Sequence, residues 1–164
     1  GYSGDGIRRP DQLLPTYYEK MGFSYGSMQG VYPQNVAWNF EERQPDVVVI
    51  NLGTNDQSFT RNIEELCEEY CSAYQAFIRK IRSKNPNAYI VSMLGVMGED
   101  LCPYAEKAVA TYKAETGDTL ISFHRFNEQL DEDGRAADWH PSQRTHRKTA
   151  DKLMNIIKGI MNWL

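Results

Sequence analysis

No apolar run in this 164-residue sequence approaches the ~20 residues that a membrane-crossing helix needs. It has no block of lysine or arginine either. Its 18 Lys+Arg stand against 22 Asp+Glu, a net charge of −4, which argues against nucleic acid as the main partner. Cysteine is sparse and odd in number (Cys67, Cys71, Cys102), so no closed disulfide framework is available. Cys67 and Cys71 lie four apart in a helical pattern and read as small core residues. Histidine is limited to His124, His140 and His146, with no His-x-x-x-His helix pair. A zinc site from His140, His146 and Asp138 therefore has little to recommend it. The remainder, 41% hydrophobic and 24% charged, is ordinary globular composition for one domain.

The chain reads as alternating strands and helices. Asp46–Leu52 is rich in Val and Ile without alternation, which predicts a strand buried on both faces. Ile63, Leu66, Cys67, Tyr70, Cys71, Tyr74, Phe77, Ile78 and Ile81 recur every three or four residues and predict an amphipathic helix. Asn62 is its expected N-cap, and Asn85-Pro86 ends it. Ala88–Leu94 is a second strand. Pro103 opens a second helix that runs to Gly117. Thr119–Phe123 is a third strand, and the last helix begins near Ser142. This alternation implies a three-layer α/β/α domain with a parallel sheet. Residues 1–45 differ: they are rich in Gly, Pro and Tyr and show no convincing strand, although Gln12–Met21 suits a short helix.

In open α/β sheets, ligands bind at the carboxyl ends of the strands. Gly53-Thr54-Asn55-Asp56 follows the first strand, and Asp138-Trp139-His140-Pro141 precedes the last helix. Both fall at that edge. An asparagine amide there can donate to an oxyanion, and a histidine beside a carboxylate can serve as general base. The turn Ser3-Gly4-Asp5-Gly6 offers a backbone N–H as a second oxyanion donor.

Together these blocks resemble the SGNH (GDSL-type) hydrolases, whose fold is flavodoxin-like. Gly53-Thr54-Asn55-Asp56 resembles the block carrying the oxyanion Asn, Ser3-Gly4-Asp5 the block carrying the oxyanion Gly, and Asp138-Trp139-His140-Pro141 the block carrying the base. The Asp-x-His spacing, together with Trp38-Asn39-Phe40 shortly before the first strand, is similar to carbohydrate esterase family 2, which deacetylates plant polysaccharides. The resemblance implies His140, Asp138, Asn55 and Gly4 as the catalytic set. It implies Trp139, Trp38, Tyr32 and Asp56 against the substrate, with Asp56 also suited to pinning its loop. It requires no metal or organic cofactor. The partner it implies is an acetylated polysaccharide such as xylan or glucomannan, with neither nucleic acid nor membrane, and an extracellular setting. At Asp-x-His spacing a backbone carbonyl is an alternative to Asp138 as the group that orients the ring.

The family's Gly-Asp-Ser nucleophile block is absent from these residues. Gly4-Asp5-Gly6 is the nearest string, and Ser3 lacks both a leading strand and a complete elbow pattern. We therefore expect the first strand and its serine upstream of residue 1. A piece of the same polypeptide, or a neighbouring chain, would cover what is otherwise an exposed apolar sheet edge. Rival readings are another short-chain esterase of the same type, a non-catalytic carbohydrate-binding domain, or a phosphate-binding module. The single glycine of the Gly53 loop argues against the last.

Overall fold

Three strands, Val47–Asn51 (β1), Tyr89–Leu94 (β2) and Ile121–Arg125 (β3), form one parallel sheet in the order β1-β2-β3. The computed structural model describes residues 13–127 and 129–163. The register pairs Val47 with Tyr89 and Ile90 with Ile121. Helices Glu64–Lys84 (α3) and Cys102–Thr116 (α4) make the crossovers between strands. A short helix at Leu14–Tyr17 (α1), another at Thr54–Thr60 (α2) and the long Gln143–Met161 (α5) complete the order.

Side chains alternate across a strand, so each face has its own layer. Ile50, Ile90, Leu94 and Ile121 point to one side and meet Cys67, Tyr74, Ile78 and Ile81 of α3 and Ala105, Ala108 and Val109 of α4. Burying a residue the size of Ile78 or Ile90 contributes roughly 1.5–3 kcal/mol. The two helices are joined across their solvent side by Lys107–Glu68, Arg79–Glu115 and Tyr104–Glu64. On the opposite face, Met93, Val96 and Phe126 pack against Leu153 and Ile156 of α5. The architecture is thus helix, sheet, helix, as the alternation predicts. All three cysteines are buried and free.

Four details differ from expectation. The segment from Gly53 is not a simple loop: Thr54–Thr60 is helical. Asn62 does not cap α3. It lies in the left-handed turn between α2 and α3, and its amide donates to Asp100 at 3.1 Å. The third strand starts two residues late, because the Asp118 carboxylate accepts from Leu120 N–H at 2.8 Å and keeps residues 118–120 in a turn. Finally, β1, an edge strand of the described sheet as expected, is not buried on both faces. Val49, on the face away from α3, is 40% exposed.

Candidate functional site

The β1 side of the carboxyl edge is set by Gly53. Its φ is +141°, and a Cβ there would stand 2.8 Å from both Leu94 Cδ2 and the Tyr70 hydroxyl. Only glycine meets both conditions. The Tyr70 hydroxyl donates to Leu52 O at 2.9 Å and closes the turn. Helix α2 begins at once, with Gln57 N–H donating to Gly53 O at 2.8 Å. Asn55, in its first turn, is exposed, with its amide unbonded among the described residues. Asp56 instead lines an apolar cavity of about 180 Å³ with Leu13, Leu14, Leu52, Tyr70 and Phe77. Burial there pushes its carboxyl above the ordinary value.

The loop after β2 ties this side to the next. Gly95 lies against the backbone of Phe126, where a Cβ would be 2.1 Å from the carbonyl oxygen. Asp100 accepts from Gln57 Nε2 at 3.0 Å and from Asn62 Nδ2 at 3.1 Å, holding α2 in place. In the other direction, Val96 O accepts from Gln129 N–H at 2.9 Å.

The segment before α5 is a closed loop. Arg135 and Pro141 form an isolated antiparallel bridge, and Ala136 N–H donates to His140 O at 2.8 Å. Within it, Asp138 and Trp139 adopt φ of +51° and +63°. Left-handed backbone costs a non-glycine residue roughly 1–2 kcal/mol, so the surroundings must hold it. Ser142 caps α5 by accepting from Thr145 N–H at 3.2 Å, while its hydroxyl donates to Asp133 O at 2.7 Å. The buried Asp133 carboxylate receives Lys148 Nζ at 2.5 Å and Arg144 Nε at 3.1 Å from the helix.

His140 is exposed at this loop, with Nδ1 3.0 Å from Ala137 O. A carbonyl only accepts, so Nδ1 carries the proton and the Nε2 lone pair is left free. Of the two groups expected to orient the ring, the Asp138 carboxylate or a backbone carbonyl, it is the Ala137 carbonyl that hydrogen-bonds to it, while Asp138 adopts a left-handed backbone within the same loop. Trp139 is 73% exposed beside His140, with the Arg135 guanidinium 5.3 Å over its ring.

Asn55 and His140 thus share the carboxyl edge, on segments leading from β1 and β3. Strands two apart in a sheet are separated by roughly 10 Å. The structure does not bring Trp38 to this edge. Its N–H donates to Glu19 O at 3.0 Å, and the Glu19 carboxylate is held by Lys80 and Lys84 at the far end of α3. Tyr32 is exposed on the same loop-rich segment. Gly4 lies outside the described residues. Sequence reasoning anticipated a backbone carbonyl on the ring without saying which, and it missed α2 and the Gln129 and Asp133 contacts; no side-chain cap at Gly53 announces α2.

The GDSL-like lipase/acylhydrolase family profile matches residues 8–148. The cellulase/esterase of Acetivibrio thermocellus is 36% identical over 132 residues, 78% of this chain and 16% of that protein. The acetylxylan esterase/glucomannan deacetylase of Cellvibrio japonicus is 30% identical over 154 residues, 93% of this chain and 39% of that protein. An acetyl xylan esterase from the rumen bacterium Butyrivibrio proteoclasticus superposes with a TM-score of 0.87 at 25% identity, over 100% of this chain and 50% of that structure. The chain therefore spans half or less of the length of these relatives.

Proposed function

The chain belongs to the GDSL-like lipase/acylhydrolase family, and from that premise we propose that it supplies the base and oxyanion half of a serine-dependent carbohydrate acetyl esterase. The observation that carries the reading is the His140 ring. Its Nδ1–H is committed to Ala137 O, and Nε2 is free at the edge that also presents Asn55. In this reading a serine hydroxyl passes its proton to His140 Nε2 and attacks the acetyl carbonyl. The Asn55 amide and the Gly4 N–H hold the oxyanion. His140 then returns the proton to the departing sugar hydroxyl, and the same steps with water release acetate. Trp139 walls the site beside the base. The catalytic pair is a dyad, with a carbonyl where a triad has an acid.

Three facts support a nucleophile from a segment preceding residue 1. The sequence has no Gly-Asp-Ser. The outer edge of β1 has no strand partner among the described residues. Next to it, the cavity beside Asp56 lies on the flank of α3 opposite to α4, bounded by Leu66, Glu69 and Ala73. A strand carrying the serine would cover that edge and bring its hydroxyl to the carboxyl end. Acetylated xylan or glucomannan is the substrate class, by likeness to the deacetylase relative.

The test is hydrolysis of 4-nitrophenyl acetate and acetylated xylan by the full-length polypeptide, wild type against His140→Ala. A loss on the order of 10⁶ in kcat is expected, because nucleophile activation and leaving-group protonation fail together. Near-equal rates would end the esterase reading.

A further inference from the structure

We infer that Gln129 is a positioning residue for the base: its side-chain amide clamps the carbonyl of Trp139 and so fixes the strained loop that aims the His140 ring. The inference rests on the reading of His140 as base. Gln129 Nε2 donates to Trp139 O at 2.6 Å, on the residue directly before His140. Its own backbone is anchored to the sheet through Val96 O at 2.9 Å. The clamp therefore connects the rigid end of β2 to a loop whose own backbone is unfavourable at two successive residues, Asp138 and Trp139.

A second observation is independent of that bond. Gln129 Oε1 is buried and has no hydrogen-bond partner among the described residues. Leaving a buried acceptor unsatisfied costs roughly 1–3 kcal/mol, so an apolar side chain of the same shape would suit this position better as mere packing. The amide cannot be flipped to relieve the cost, because Trp139 O only accepts and the group facing it must be the NH₂. The side chain thus meets a donor requirement at one end and carries an unsatisfied acceptor at the other. Stability alone does not explain the arrangement, whereas a fixed Trp139 carbonyl does. With that carbonyl held, the Ala137–His140 turn keeps Ala137 O 3.0 Å from Nδ1 and directs Nε2 outward.

Gln129→Met removes the clamp and the orphaned oxygen together. In the full-length enzyme we expect kcat to fall roughly ten- to a hundredfold, as a displaced catalytic group does. KM for 4-nitrophenyl acetate should stay within about threefold, and Tm should be unchanged or raised. A purely structural residue would give the opposite pattern, with Tm and activity falling together, and that result overturns the inference. The second measurement is the ¹⁵N spectrum of the His140 imidazole in the same protein labelled at histidine. The wild-type ring should show one tautomer, protonated at Nδ1, and the variant an averaged pair. Unchanged ring signals, or a kcat within about twofold of wild type, also overturn it. If His140→Ala keeps wild-type rates, the base reading fails by itself, and the ring signals still decide whether Gln129 holds the loop.

Discussion

At the amino edge of the sheet, the Arg82 guanidinium donates to the carbonyls of Asn85, Pro86, Ala88 and Leu120 and pairs with Asp118 at 2.7 Å. It thereby joins the end of α3 to the starts of β2 and β3. At the carboxyl edge, Asn55 and His140 are exposed, Asp138 and Trp139 are left-handed, and the Gln129 side-chain oxygen has no partner among the described residues. The first gathers its polar groups into one satisfied cluster, whereas the second, beside satisfied groups such as Asp100 and Asp133, leaves Asn55 and His140 available. The proposed chemistry belongs to the second, and the stability that would tolerate it resides in the first and in the core between.

Breaking the amino edge should have the largest effect on folding. Arg82 and Asp118 have side chains only 16% and 13% exposed, so Arg82→Met strands a nearly buried carboxylate and several carbonyls. A loss of ~3–5 kcal/mol in unfolding free energy is expected from urea melts, with the rate per folded molecule unchanged. A loss below ~1 kcal/mol would show that the Arg82 contacts are ornamental. Breaking the carboxyl edge should do the reverse. Asn55→Ala is expected to lower kcat by 10²–10³, or ~2.7–4 kcal/mol in the barrier, and to leave Tm in place because the side chain is exposed. A rate within about twofold of wild type would remove Asn55 from the oxyanion site.

Asp138 sharpens the same contrast at lower amplitude. With Ala137 O orienting the ring, Asp138→Asn should reduce kcat by less than about tenfold. An orienting acid would cost on the order of 10⁴. Asp138→Gly relieves the left-handed backbone and should raise stability by roughly 1 kcal/mol. A large kcat loss in the asparagine variant restores the triad.

The two edges also differ in how legible they are in the sequence. The strands and long helices announce themselves through Val/Ile runs and three-to-four spacing, because burial of whole faces selects residue types. Gly53, Asn55 and His140 are visible as motifs because each has a chemical or conformational requirement that few residues meet. The Asp-x-His spacing left room for a backbone carbonyl, but that it is Ala137's is invisible, since every residue carries one and only the loop's path decides where it points. Gln129 is hidden for a related reason: its partner is again main chain, and a lone glutamine between strand and helix has no pattern. For Trp38, proximity in sequence to β1 says nothing about which end of the strand its segment packs against. The Glu19 ion pairs with Lys80 and Lys84 settle that in three dimensions.

The carboxylates of the two edges should finally respond to pH with opposite signs. At the amino edge, burial works to raise Asp118, but the Leu120 N–H, the Arg82 guanidinium and the Tyr112 hydroxyl outweigh it and hold the carboxyl below 3.8. A depressed value means that Asp118 contributes stability above the unfolded pKa and loses it as pH falls through the folded one. At the carboxyl edge, burial raises Asp56 above 3.8, so ionising it costs stability as pH rises through the folded value. Asp118→Asn should therefore destabilise at pH 7 and converge on wild type in acid. Asp56→Asn should stabilise at pH 7 and converge in acid as well. Urea melts of both variants at neutral pH and near pH 3 test the pair. Equal signs at pH 7 would mean that the cavity beside β1 does not desolvate Asp56, and that this edge is wetter than its apolar lining implies.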